Sequence, residues 1–408
     1  MTGSRAGEQR DHFARGEGQE DHLATQKGIR IAQSCQPDPR AAVREFHAHV
    51  SQPDMALVLF FCSDEYDRDA LAAEMARRFA GVQVVGCTTA GEIGPTGCRD
   101  HSIAGVSLAS SVCTAVTGRL EHLQLFEAAE GRALAENLLR GLQDRVAGAE
   151  RQNSFAFLLV DGLSVREELV AHALQEALGE IPVIGGSAGN GLSFGSTYVY
   201  SEGRFFADSA ALVIVGTPLP IRTFKTQHFL PTDQRLVVTE ADPAQRIVRE
   251  INGLPAAGEY ARTLGVPPGQ LGPLHFASSP VVVLIGGDYY VRSIQKANPD
   301  GSLTFFCAIE AGVVLRVAKG VDLVANLKDA FTQLREQIGE LQLVLTCDCI
   351  LRKLEIVESG LQDRVGDILR RNNAVGFNTY GEQFCGVHVN QTLTGIALGS
   401  GSAATDGA

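Results

Sequence analysis

Val85 to Glu92 reads VGCTTAGE and Val375 to Glu382 reads VGFNTYGE, so V-G-x-x-T-x-G-E occurs twice in the chain. Each copy follows a helix-like run (Leu71 to Phe79; Leu361 to Arg370). Each leads, at the same offset, into a strand-like run in which Ile103, Gly105, Val106 and Leu108 match Leu393, Gly395, Ile396 and Leu398. Upstream, LVLFF at Leu57 corresponds to LVLTC at Leu343, and a looser third copy runs through FAFLLV, a helix at Leu169 and VIGGSAGN at Val183 to Asn190. Internal similarity of this kind constrains a fold more than composition does. It predicts a duplicated strand-helix-strand-turn-strand unit to which both ends of the chain contribute equivalent pieces.

The apolar pattern sets the fold class. MALVLFF at Met55 to Phe61, FAFLLV at Phe155 to Val160, VVVLI at Val281 to Ile285 and LVLTC at Leu343 to Cys347 are continuous apolar runs of strand length, suited to sheets covered on both faces. Leu134, Leu138, Leu142 and Val146 recur at helical spacing, as do Leu169, Ala173 and Ala177, and Leu327, Phe331, Leu334 and Ile338. The expectation is an α/β protein of two domains with layered sheets and helices, which a length of 408 residues accommodates. The polar, Gly- and Gln-rich stretch from Met1 to about Ala32 reads as a disordered tail.

With 35 basic against 47 acidic residues the net charge is −12, which disfavours nucleic acid or an anionic membrane surface as partner. No run approaches a membrane span and no secretory pattern opens the chain, so a cytoplasmic location is expected. Nine scattered cysteines fit reduced thiols, and Cys347 with Cys349 alone is a weak zinc signal. The turn glycines, Gly86, Gly91, Gly185, Gly186, Gly189, Gly376 and Gly381, permit positive φ or close backbone approach. GGSAGNG at Gly185 to Gly191 lacks the lysine and the helix context of a phosphate loop.

VVGCTTAGEI, VIGGSAGNGLSFGSTYVYSEGRFFADSAALVIVG and LVLTCDCILRK followed by VGFNTYGEQFCGVHVNQTLTGIALG resemble the paired FIST N and FIST C domains of signal-transduction proteins, from about Ser34 to Ser400. The resemblance divides the chain into an N-type domain at 33–217 and a C-type domain at 218–400, between tails at 1–32 and 401–408. Within that family, FKTQHFLPTDQRLVVTEADPAQRIVREINGLPAA and GVHVNQT resemble the haem-binding nitric-oxide-sensing proteins of bacteria (NosP). That implies a sensor without turnover, with a b-type haem on one histidine, nitric oxide as ligand and a cytosolic histidine kinase as partner, in circuits that control biofilm or cyclic-di-GMP; a homo-oligomer is compatible with it.

A haem needs an axial donor, an apolar pocket and cations for its propionates. His228 is flanked by Phe224 and Phe229, with Lys225 and Arg235 near enough to meet propionates, and under this resemblance it is the first candidate. His388, between Val387 and Val389, is the alternative metal ligand, and His275 the third; Thr226, Tyr380 and Asn390 are distal candidates or plain hydrogen-bonders. A different class stays open: small, amino-acid-like metabolites held by Thr89, Glu92, Thr379 and Glu382 of the repeated turns, without haem. A hydrolase using Cys87 with Glu92 or His101 has no supporting motif, and no enzyme activity is expected.

Overall fold

The computed structural model describes residues 27–145, 153–285 and 287–401. Most of the expected N-terminal tail and nearly all of the C-terminal one lie outside these residues. The last part of the N-terminal tail does not behave as expected. Ile29–Ser34 is strand β1, paired antiparallel with Ile103–Ala109, with Ile29 opposite Leu108. Six residues are too few to read as a strand alone; a long-range partner holds them.

The scaffold is three successive stretches. The first runs β1, α1 (Pro39–Val50), β2 (Met55–Ser63), α2 (Arg68–Arg78), β3 (Gln83–Thr89), β4 (Glu92–Gly94), β5 (Gly97–Arg99) and β6 (Ile103–Ala109). The second runs β7 (Thr114–Leu120), α3 (Ala128–Arg145), β8 (Ser154–Val160), α4 (Glu167–Leu178), β9 (Val183–Ser187), β10 (Val199–Ser201), β11 (Arg204–Phe206) and β12 (Ala210–Gly216). The third opens with β13 (Ile221–Thr226) and is then interrupted by an insertion. The insertion comprises β14 (Phe229–Asp242), β15 (Ile247–Ile251), β16 (Leu254–Pro255), α5 (Ala256–Leu264), α6 (Pro273–Ser278), β17 (Val281–Ile285), β18 (Asp288–Arg292), β19 (Ile294–Ala297), β20 (Leu303–Phe305) and β21 (Val314–Gly320). The third stretch then resumes with α7 (Leu323–Ile338), β22 (Leu341–Cys349), α8 (Ile350–Glu358), α9 (Gln362–Arg371), β23 (Ala374–Thr379), β24 (Glu382–Phe384), β25 (Val387–Val389) and β26 (Leu393–Gly399).

Three mixed sheets result, ordered β1-β6-β2-β3-β10-β11, β7-β12-β8-β9-β24-β25 and β13-β26-β22-β23-β4-β5. Each stretch therefore gives its hairpin to a neighbour: β4–β5 pairs with β23, β10–β11 with β3, and β24–β25 with β9. The insertion forms a fourth, antiparallel sheet whose outer strands, β18 and β19, are consecutive in the chain, so it nearly closes into a barrel. Three glycines mark where the parallel strands crowd. A Cβ at Gly86, Gly185 or Gly376 would stand 2.5, 1.8 or 1.8 Å from the carbonyl oxygen of Phe60, Leu158 or Thr346 on the adjacent strand. Close approach, not positive φ, is what these positions require.

Alternation along the strands splits the core. Leu57, Leu59 and Phe61, Phe157 and Leu159, and Leu345, Cys347 and Phe377 meet between the three sheets, where Phe61 stacks on Phe377 with ring centres 4.7 Å apart. Residues one position along, such as Val58 and Phe60, face α1 and α2 instead. Burial of each such side chain is worth roughly 1.5–3 kcal/mol. Asp38, Asp67 and Asp322 cap α1, α2 and α7 by accepting from first-turn amides. Leu327, Phe331, Leu334 and Ile338 of α7 are buried as expected. Two readings are corrected: Leu169 is exposed because α4 turns Val170, Ala173 and Leu174 inward, and Leu284 and Ile285 are exposed where β21 no longer pairs with β17 and only β18 accompanies it. No helix among the described residues is long and apolar enough to cross a membrane.

Candidate functional site

The ends of β3, β9 and β23 meet. Ala90 N donates to Asn378 O at 2.9 Å, Asn378 N to Gly91 O at 2.7 Å, Ser187 N to Gly381 O at 2.9 Å, and Gly189 N to Thr88 O at 2.9 Å. Here the threonine and glutamate side chains of the repeated turns bond to the turns and the strands beside them, with Glu382 Oε1 left without a partner among the described residues. Glu92 is buried; it bonds Thr89 Oγ1, and its Oε2 accepts from Ser102 N at 3.0 Å and Ser102 Oγ at 2.8 Å. Thr379 Oγ1 donates to Ser187 O at 2.7 Å, and Glu382 Oε2 accepts from Thr392 Oγ1 at 2.6 Å. Burial pushes Glu92 up to about 8 and Glu382 up as well.

The exchanged hairpin does create an opening. Between β5 and helices α8 and α9 lies a cleft of about 420 Å³ whose walls include Arg99, Asp100, Asp348, Lys353, Arg370 and Asn378. It carries charges of both signs, with Cys98 and Ile356 as apolar surface. Asn378 is 2% exposed and its Oδ1 has no hydrogen-bond partner among the described residues. Asp348, also buried, accepts from Arg352 Nε at 2.7 Å; burial raises its pKa and the guanidinium opposes the rise. Lys353 Nζ donates to Ala90 O at 2.6 Å and to Asp100. Gly91, at φ +135°, makes this possible: a Cβ there would lie 2.7 Å from Lys353 Nζ and 2.8 Å from Asn378 Oδ1. The sequence reading missed Asn378, Asp348 and Lys353, although Asn378 sits inside VGFNTYGE and the spacing of Asp348 and Arg352 is that of a helical ion pair.

The expected haem set is only partly brought together. His228 is enclosed, and its ring lies against Phe229 with centres 4.1 Å apart. Phe224 packs instead under α7 on Phe331, Lys225 lies over the ring of Tyr290 at 4.1 Å, and Arg235 is exposed on β14 opposite Arg316. His228 Nδ1 faces Arg352 Nη1 at 3.3 Å, and Nε2 faces both oxygens of Glu355 at 2.9 Å. Arginine only donates, so Nδ1 accepts and Nε2 carries the proton. The nitrogen that would ligate iron is thus protonated and bonded to a carboxylate, and His228 borders neither the cleft above nor a second one beside Tyr200. As arranged, these residues do not fit a haem.

His388 is enclosed by Gln383 Nε2 at 3.1 Å on Nδ1 and by Phe306 O at 3.2 Å on Nε2, while His275 is half-buried on α6. Tyr380 Oη bonds Asn190, Asn390 lies beside His388, and Thr226 Oγ1 has no partner among the described residues. Cys87 is wholly buried, which drives its thiol far above the ordinary range, and His101 pairs with Glu65. All nine cysteines are free, and among the described residues no group of three or more His, Cys, Asp or Glu is placed to hold a metal ion.

The fold is thus three mixed sheets that exchange hairpins, with a cleft of charged and apolar lining where hairpin β4–β5 meets α8 and α9. The sequence matches the FIST N domain over residues 56–254 and the FIST C domain over residues 256–385, and the chain therefore belongs to the FIST family of sensory or signalling proteins. The cleft takes β5 from the first matched segment and α8, α9 and β23 from the second. No curated protein sequence matches the chain.

Proposed function

We propose that this protein is a sensory binding protein without turnover, whose signal is a small zwitterion of the amino-acid type held between β5 and helices α8 and α9. The observation that carries the reading is Asn378 Oδ1, a buried acceptor without a partner among the described residues, in the wall of a cleft that also holds four aspartates, Asp348 among them, and three cations. Leaving such an acceptor unmet costs roughly 1–3 kcal/mol, so a ligand that brings an N–H donor to it gains that much. An ammonium group meets Asn378 and Asp348, and a carboxylate meets Arg99. The shared strand order of the three sheets and their matched glycines support a scaffold built from a repeated unit, in which the exchanged hairpin makes the cleft.

Calorimetric titration with free amino acids, their methyl esters and their des-amino analogues tests this. An amino acid should bind, each analogue should bind at least ~10-fold more weakly, and Asn378→Ala should lose a comparable factor. Equal binding of all three ligand types, or binding indifferent to Asn378→Ala, overturns the reading.

The two NosP-like stretches support a second reading, in which a b-type haem senses nitric oxide and signals to a cytosolic histidine kinase. It requires His228 to surrender the Nε2 proton and the Glu355 carboxylate. A Soret band after haem reconstitution that disappears in His228→Ala would establish that reading in place of the first.

A further inference from the structure

The barrel is an insertion, so the chain crosses between it and the scaffold twice, once between β13 and β14 and once between β21 and α7. Both crossings are tied at His228. Its carbonyl accepts from Val321 N at 2.7 Å, joining the outgoing strand to the returning one, and its ring is held by Arg352 and Glu355 of α8. The same helix presents Lys353 and Ile356 to the cleft, and Arg352 reaches back to Asp348 in the cleft wall. A continuous chain, Asp348–Arg352–His228–Glu355, buried as far as His228 and half-buried at Glu355, thus runs from the cleft to the hinge of the barrel.

Arg352 has a choice of partner. Its side chain is 1% exposed, its Nε is committed to Asp348, its Nη1 to His228, and its Nη2 has no partner among the described residues. Glu355 stands one turn along α8 and touches the same imidazole from its other side. A cationic ligand group on Asp348 weakens the hold on Arg352, and the carboxylate left to attract the guanidinium is Glu355, which His228 now occupies. We propose that ligand capture at Asp348 is transmitted by this exchange of partners: Arg352 draws Glu355 away from His228, the tie between His228 and Val321 loosens, and the barrel, freed at its hinge, is the output arm of the sensor. This rests on reading the cleft as the signal site.

The test needs no ligand, so its failure leaves the cleft reading standing. Asp348→Asn keeps the shape but removes the charge, as a bound ammonium would neutralise it. Amide hydrogen exchange is followed at Val321, in the hinge, and at Leu59, in the core of the first sheet. Asp348→Asn should speed exchange at Val321 roughly tenfold and leave Leu59 unchanged. Adding Glu355→Gln, which keeps an acceptor for His228 but removes the charge that draws Arg352, should return Val321 towards its wild-type rate. No change at Val321 in Asp348→Asn, an equal rise in the double variant, or a rise shared by Leu59 each overturns the proposal.

Discussion

His228 donates through Nε2 to Glu355, with both carboxylate oxygens at 2.9 Å, while its Nδ1 accepts from Arg352. The imidazole is therefore a link between a buried guanidinium and a half-buried carboxylate. Removing it leaves Arg352 with one partner fewer and Glu355 facing a cavity. His228→Ala should cost about 2–4 kcal/mol in chemical denaturation, from the lost hydrogen bonds and the void together. A variant as stable as wild type would show that the ring is free to take another partner.

Glu92 gives stability a pH dependence of known sign. Its folded value is about 8 against an ordinary 4.5, so the folded protein keeps a proton that the unfolded chain releases. The contribution is complete below about pH 4.5, falls as pH rises through about 8, and is flat above. Glu92→Gln preserves the bonds to Thr89 and Ser102 without titrating. Its stability relative to wild type should improve by about 1 kcal/mol or more between pH 5 and pH 9, a unit of pKa being worth ~1.4 kcal/mol. Urea midpoints at the two pH values measure this, and parallel profiles would place the Glu92 carboxylate in water.

The sequence foretold the strands, α7 and the repeated turns because each is written in one contiguous segment: Leu57 to Phe61 is apolar throughout, and VGFNTYGE needs no partner to be recognised. It did not foretell the cleft, because Arg99 and Asn378 come to line one cleft only through the exchange of hairpin β4–β5 onto β23, and nothing local to either segment encodes that pairing. The haem set failed to assemble for a related reason. Phe224 and Phe229 flank His228 in sequence, but β13 ends between them and the chain passes from one sheet to another, so their side chains enter different cores.

Two glycines, one in a strand and one in a helix, should respond in opposite ways to alanine. Gly185→Ala would force a Cβ within 1.8 Å of Leu158 O and should cost more than ~3 kcal/mol or abolish folding. Gly141 lies inside α3 with Val116 Cγ1 at 3.8 Å as its nearest neighbour, an ordinary contact. Gly141→Ala should therefore stabilise by about 0.5–1 kcal/mol. Thermal melts of the pair check the tight parallel packing directly.

The docking of the barrel onto α4 rests on a buried ion pair. Arg246 Nη2 lies 2.6 Å from Glu167 Oε2 and also meets Glu168, with Arg246 and Glu167 both nearly inaccessible. Arg246→Ala should cost about 3–5 kcal/mol because it strands Glu167. Arg132→Ala, which breaks an exposed pair with Glu176 at 3.6 Å, should cost under about 1 kcal/mol. Similar losses in the two variants would mean that water reaches the Arg246 pair.

Where the ligand sits is the most direct question to put to the protein. Hydrogen exchange mapped with and without a saturating amino acid answers it, since a bound ligand slows exchange in the backbone it touches and stabilises by ~2.7 kcal/mol at a hundred times its dissociation constant. Occupation of the cleft requires slowed exchange at residues 96–100, 350–358 and 362–371, the rim strand and the two helices of the cleft. Protection concentrated instead at residues 281–292 of the barrel, with the cleft segments unchanged, would contradict it.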